Sequence, residues 1–308
     1  MWVVLAFISA LCLGFYDISK KIALRNNAVV DVLTASVLVS SAILLTPLLL
    51  SRCAPEMMHA TPFYVPVLDL RGHLLTVVKS AIVLSSWVFA YISLKHLPIS
   101  VVSPWQATRP MWTLVGALLI FGERLNGWQW IGVSLAIGSI LVFSVFNHHS
   151  NGSDSFKGNK SYYAALALAI LIGSCSGLYD KFMMRQYDHN AVQVYYTLYQ
   201  AVMMLGLWTI TRVLQGHRGK HVPASISVQS VLPIVLISVF LVISDNVYML
   251  ALRDPDSMIA VVSTIRRGGA VIGFAYGLIF LKEQDPWKKV LSMIGVLAGL
   301  VCLAIGSL

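Results

Sequence analysis

Ten continuous apolar runs of about twenty residues, most of them joined by short connections, constrain this chain more than any other feature. They fall at 2–23, 29–50, 73–94, 98–121, 128–146, 162–184, 191–213, 230–251, 257–281 and 288–307. At 1.5 Å per residue each is long enough for a hydrocarbon slab of about 30 Å. The runs are unbroken rather than alternating, so they are helices and not the strands of a membrane barrel. Composition agrees. Hydrophobic residues make up 57% of 308 and charged residues 11%, against about 45–50% and about 25% in soluble domains. A soluble enzyme, a secreted disulfide scaffold and a disordered chain are excluded. The expected fold is an all-α integral membrane protein with ten transmembrane helices.

Smaller features fit that class. Cys12, Cys53, Cys175 and Cys302 form neither a disulfide framework nor a metal-spaced group, so no metal or cofactor is expected. The net charge of +9 is not clustered as a nucleic-acid face would be. Its Lys and Arg residues act instead as orientation signals. No basic stretch precedes the apolar start, so it reads as a retained first helix. The connection at 52–72 holds three prolines, which argues against a spanning helix there and suggests that PFYVPVLDL lies on the interface.

The polar stretch NHHSNGSDSFKGNK divides the chain into 1–146 and 161–308, with 147–160 as linker. The halves resemble each other. GFYDISKKIALRNN at 14–27 meets GLYDKFMMRQYDHN at 177–190, and IGVSLAIG at 131–138 meets IGVLAGLV at 294–301, both at an offset of 163. Between them Tyr91 meets Tyr248, Pro98 meets Pro255 and Arg109 meets Arg266, at an offset of 157. Five spans is an odd number, so the second half must enter the membrane from the opposite side. The result is a 5+5 inverted-topology repeat, an arrangement suited to alternating access around a central site.

Ionisable residues at membrane depth are costly and face protein or a watery cavity. Here they are Asp17, Lys20, Lys79, Arg109, Asp180, Asp245, Arg266 and Arg267. The repeat makes Arg109 and Arg266 symmetry partners near the axis. The fixed guanidinium fork suits carboxylate or phosphate, so Arg109, Arg266 and Arg267 are expected to bind an anionic group. The competing reading pairs them with Asp17, Asp180 or Asp245. Trp105 shares a helical face with Arg109 and Trp112, and Gln106 lies on the adjacent strip. Trp87 and Tyr91 are candidates for the opposite wall. Tyr199 pairs with Tyr195, and Tyr196 with Gln200, along two stripes that either line a cavity or sit at the headgroups. Asp245 and Asn246 lie deep, facing the pore or a cation such as Arg266. The matched Asp17 and Asp180 are gating or coupling candidates, or interfacial ion pairs with Lys20, Lys21 or Lys181. Glycines at four-residue spacing in spans nine and ten, with Gly132 and Ala136 in span five, permit close helix contact. They would seat a neighbouring span or the same face of a second copy in a homodimer.

Ten spans, the repeat and the stretch RPMWTLVGALLIFGERLNGWQWIGVSLAIGSILVF at 109–143 resemble the EamA-type transporters of the drug/metabolite transporter superfamily. Gly122 and Glu123 stand where that family carries a G-x-E turn, and Gly14 with Lys21 is similar to its first-helix pattern. The resemblance implies a cavity lined mainly by spans three, four, eight and nine, in the inner cell membrane, with both termini in the cytoplasm. Loops after odd-numbered spans hold about twice the Lys and Arg of those after even ones, which places the termini outside. Arg266-Arg267 also resembles, with Arg for Lys, the basic pair by which triose-phosphate translocators hold phosphate.

The leading expectation is therefore a secondary transporter for a small polar metabolite, anionic or zwitterionic, working as exchanger or proton-coupled carrier. Efflux of amphiphilic or cationic compounds is one alternative, and a lipid-handling or other non-transport membrane protein is another. No H-E-x-x-H, G-x-S-x-G or phosphate loop points to an enzyme.

Overall fold

The computed structural model describes residues 1–23, 27–96, 105, 108–149, 160–217, 228–269, 271–272 and 286–306. Among them the elements are helical: α1 (Trp2–Ala23), α2 (Val29–Cys53), α3 (Pro55–His59), α4 (Leu70–His96), α5 (Arg109–Phe121), α6 (Gly127–His149), α7 (Lys160–Met184), α8 (His189–His217), α9 (Val231–Arg253), α10 (Ile259–Arg267) and α11 (Pro286–Gly306). A 3-10 turn at Val228–Ser230 leads into α9. Five apolar stretches, Trp2–Lys20, Val29–Cys53, Leu70–Ala90, Lys160–Met184 and Val231–Arg253, are long enough to cross a membrane. Arg109–Phe121 and Ile294–Gly306 are shorter apolar helices. The first part of expected span four and the last part of span nine lie largely outside the described residues, whereas α11 covers nearly all of span ten.

Helices form here because apolar surroundings offer the backbone no other partner. Side-chain hydroxyls obey the same rule. Thr34, Ser41, Thr76, Ser80, Ser174 and Thr264 each donate to the carbonyl four residues earlier in their own helix. Ser41 and Ser80 also reach across, to the Thr197 and Tyr196 carbonyls, and Ser86 reaches that of Ala169. Such bonds hold helices together where apolar burial cannot, because lipid is as apolar as leucine.

The bundle is inverted in polarity relative to a soluble protein. Leu119, Val202, Leu232 and Val301 are exposed, whereas Lys79, Asp180, Lys181, Gln193 and Gln200 are buried. An apolar exterior around a polar interior is what a lipid solvent selects.

Helices that correspond in the sequence match between the halves pack in corresponding ways. α1 lies along α9 as α7 lies along α4. α2 meets α9 as α8 meets α4, and α5 meets α7 as α10 meets α1. Three pairs join a helix to its own counterpart: α2 with α8, α5 with α10 and α6 with α11. In α2 and α8, Asp31 meets Arg212 and Arg52 meets Tyr195, so the two run antiparallel. In α6 and α11, Asn126 bonds the Gly306 carbonyl while Ser139 packs at Gly295, again antiparallel. Gly132 and Gly299 let these backbones touch, since a Cβ at either would meet main-chain atoms of the other helix under 3 Å away.

One end of the bundle is tied by polar contacts between the halves. Gly122, at φ 63°, closes α5 and turns the chain so that Glu123 points at α10. The carboxylate accepts the backbone amides of Ile259 (2.6 Å) and Ala260 (3.2 Å), capping α10 from the other half. Burial pushes the Glu123 carboxyl up, and the two amides, Lys181 and Arg185 work against that rise. Lys181 donates to the carbonyls of Leu252, Asp254 and Ser257 and to the Ser257 hydroxyl, pinning the turn between α9 and α10. At the same end, the three-proline connection is non-helical beyond α3. Its Val65 and Leu68 pack on Ala191 and Val194 of α8.

Candidate functional site

The polar interior is built where α1, α4, α5, α7, α8, α9 and α10 converge. Arg109 opens α5, with Pro110 in the first turn, where a missing amide costs nothing. Its guanidinium donates to the Ser86 hydroxyl of α4 at 2.9 Å. It lies flat on α7 in the space that a side chain at Gly173 would occupy. The Arg109 carbonyl accepts from Ser174 at 3.1 Å. Among the described residues no carboxylate lies within 4 Å of Arg109, and its buried Nε has no hydrogen-bond partner.

Arg266, its counterpart near the end of α10, is held quite differently. It bonds Ser9 of α1 at 3.0 Å, Ser244 of α9 at 3.2 Å and the Asp245 carboxylate at 2.5 Å. Its guanidinium sits 4.0 Å over the Tyr248 ring. Arg267 is exposed and forms no ion pair within 4 Å among the described residues. It lies within electrostatic range of Asp17, Arg266 and Arg109.

A second buried ion pair joins Lys79 of α4 to Asp180 of α7. The Lys79 ammonium also sits 4.5 Å over the Tyr196 ring, and the Tyr248 hydroxyl faces Asp180. Asp180 therefore does not pair with its chain neighbour Lys181 but with a lysine 101 residues away. Asp17 lies near Lys20 and Arg267, toward the other end of the bundle.

A small pocket of about 20 Å3 opens beside Asp245, between α2, α8 and α9. Ser40, Gln193, Tyr196, Thr197 and Gln200 contribute to its wall. Asn246 is one step away, donating to Gln193 (2.8 Å) and to Asn190 (2.9 Å).

Three expected wall residues stand apart from this core. Trp87 packs with Val37, Ala201 and Met204 in an apolar cluster. Trp105 is exposed, with its ring 6.4 Å from that of Tyr163. Tyr199 bonds His73 at 2.9 Å and stacks with Tyr195, which takes a bond from Arg52. The neighbouring stripe, Tyr196 and Gln200, is the one that turns inward. Gln106 and the Tyr91 side chain lie outside the described residues. Sequence reasoning placed Lys79 at membrane depth without a role. It missed Tyr248 and the serines at 9, 40, 86 and 244, which are small polar residues in apolar helices.

The EamA-like transporter family model matches residues 1–145, just under half of the chain. That part of the chain is similar to an EamA-type unit. With five apolar helices long enough to cross a membrane, the chain is a multi-pass membrane protein whose first half matches that family's model. No curated protein matches the sequence. A solved structure, titled only as the crystal structure of a protein, superposes with a TM-score of 0.73 at 12% identity. The alignment covers 99% of this chain and 96% of that one, so the whole chain, second half included, shares its fold.

Proposed function

We propose that this protein is a secondary transporter that carries a small anionic or zwitterionic metabolite across the inner cell membrane by alternating access. Residues 1–146 and 161–308 act as inverted five-helix units of a ten-span carrier, with 147–160 as linker. Support comes from the antiparallel contact of α2 with α8 and of α6 with α11, each helix against its own counterpart. Around such an axis one set of contacts can break while its mirror set forms, which exposes a central site to each side in turn.

The observation that carries the substrate class is Arg109. A guanidinium with no carboxylate at hand among the described residues and a buried, unbonded Nε is costly to keep unless a ligand completes it. A carboxylate or phosphate does so with two parallel bonds. Arg267 adds a second positive charge nearby. The same charges oppose a cationic substrate, which favours this reading over cation efflux. Exchange and proton coupling are both compatible with it, as is assembly into a homodimer.

The test is a binding screen on the purified chain with anionic, zwitterionic and cationic metabolites, run beside R109A and R266A. The expected ligand carries a carboxylate or phosphate and loses at least tenfold in affinity in either variant. A ligand that binds both variants undiminished would overturn the anion site.

A further inference from the structure

The pocket beside Asp245 holds an unusual combination of groups. Ser40 is 2% exposed and Gln200 3%. Their Oγ and Nε2 atoms are two of the three buried side-chain polar atoms left without a hydrogen-bond partner among the described residues. Both residues line the same pocket, together with Thr197, Gln193 and Asp245. Its volume of about 20 Å3 suits one water-sized occupant. A metabolite does not fit, so these groups are not explained by substrate contact.

We infer that this pocket is the carrier's coupling-ion site and binds one monovalent cation, sodium or a hydrated proton. The wall is rich in hard oxygen donors. Ser40 offers its free hydroxyl. Thr197 spends its proton on the Gln193 carbonyl (2.8 Å) and keeps its lone pairs. Gln193 holds Asn246 with its amide oxygen and retains a lone pair on it. Turning the Gln200 amide over presents its oxygen in place of the unbonded nitrogen. Asp245 supplies one full negative charge, and Arg266 occupies only its Oδ1. One carboxylate with neutral oxygens matches a single positive charge. A divalent ion asks for more, and no group of three His, Cys, Asp or Glu exists among the described residues.

Charge balance gives the site its logic. The charged groups around Asp245 are Arg266 from α10, Asp180 from α7 and Lys79 from α4. Tyr196 of α8 and Tyr248 of α9 are the neighbouring phenols, and α1 contributes Tyr16 at longer range. α2 contributes the uncharged Ser40 and Val37. Among the described residues, Asp245 with Arg266 and Asp180 with Lys79 form two pairs whose charges cancel. An anionic substrate that takes Arg266 leaves Asp245 buried without its partner, which costs several kcal/mol unless a cation arrives. Anion and cation binding are thereby linked. The transport role rests on the proposed carrier function, whereas cation binding itself is tested without any substrate.

The experiment uses the full-length chain in detergent and follows thermal unfolding by tryptophan fluorescence. Wild type, R266Q, R266Q/D245N and S40A are compared in sodium chloride and choline chloride at equal ionic strength, and across pH in choline. R266Q stands in for arginine taken by substrate and should acquire a saturable stabilisation by sodium at least tenfold tighter than in wild type. That gain should vanish in R266Q/D245N, and S40A, which breaks no ion pair, should weaken the sodium response of the wild type. If the ion is a proton, sodium and choline act alike and R266Q gains stability on acidification that R266Q/D245N lacks. R266Q and S40A indifferent to both sodium and pH, or responses that survive D245N, would show a water pocket only and overturn the proposal. Neither result touches the metabolite screen, so the two ideas fail separately.

Discussion

The Lys79–Asp180 pair lends itself to a double-mutant cycle whose outcome follows from burial. The two side chains are 3% and 10% exposed, and the pair links α4 to α7 across the repeat boundary. Removing one partner from a buried pair costs about 3–5 kcal/mol, because the survivor stays charged and desolvated. K79M should reach that range, since Asp180 then keeps only the Tyr248 hydroxyl and the distant Arg266. D180N should cost about 1 kcal/mol less, because the Lys79 ammonium keeps the Tyr196 ring at 4.5 Å. The double variant K79M/D180L replaces the pair with apolar groups and should return to within about 1–2 kcal/mol of wild type. Reversible unfolding in mixed micelles, titrated with a denaturing detergent and followed by circular dichroism, reads all four corners. A coupling energy of about 3 kcal/mol or more is expected. Single-variant costs that add to within about 0.5 kcal/mol would refute the reasoning, since they would mean the two charges do not share one desolvated site.

Two further outcomes follow from single contacts. In G173A the new methyl group takes the place of the Arg109 guanidinium, which must leave Ser86; anion affinity should fall about 10–100-fold for the loss of a charged hydrogen bond of about 1.5–3 kcal/mol. Thermal stability should change by less than about 1 kcal/mol, because alanine also favours the helix, so binding and unfolding measured together separate this from a general packing defect. E123A strips the first turn of α10 of both its acceptors and should destabilise by about 1–2 kcal/mol, with faster hydrogen exchange at Ile259 and Ala260 by mass spectrometry; unchanged exchange there would contradict the capping role.

Much of the architecture was legible because lipid leaves a coarse imprint. Every spanning helix must be a long apolar run, and the matched YD, Tyr, Pro and Arg positions relate the two halves without any knowledge of contacts. The partners of the buried charges were not legible in the same way. Local reasoning offered Asp180 the lysine beside it, but Lys181 leaves on another helical face and ties down the turn before α10. The true partner, Lys79, is chosen by which helix packs against α7, and no spacing rule encodes that. The tyrosine stripes of α8 show the same limit. Tyr195–Tyr199 and Tyr196–Gln200 are neighbouring stripes of similar chemistry. Only the packing of α2 and α4 decides that the first meets Arg52 and His73 while the second reaches the polar interior.

The repeat is also informative where it fails. Arg109 and Arg266 occupy equivalent positions, yet one has no acid beside it and the other is held by Asp245. At the offset of 157 that relates them, Asp245 corresponds to Val88 and Lys79 to Leu236. The halves share the arginine and Asp17 with Asp180, but Lys79 and Asp245 are among the charges that one half has and the other lacks. In a carrier made of inverted repeats, perfectly matched halves would make the two end states equal in energy. Charges present on one side alone remove that equality, because a buried pair that forms in one state has no mirror image to form in the other. Under the proposed carrier function, Lys79 and Asp245 are residues at which the two access states are set apart. Leu236→Lys and Val88→Asp, which restore the symmetry, are the substitutions that would bring those states back toward balance.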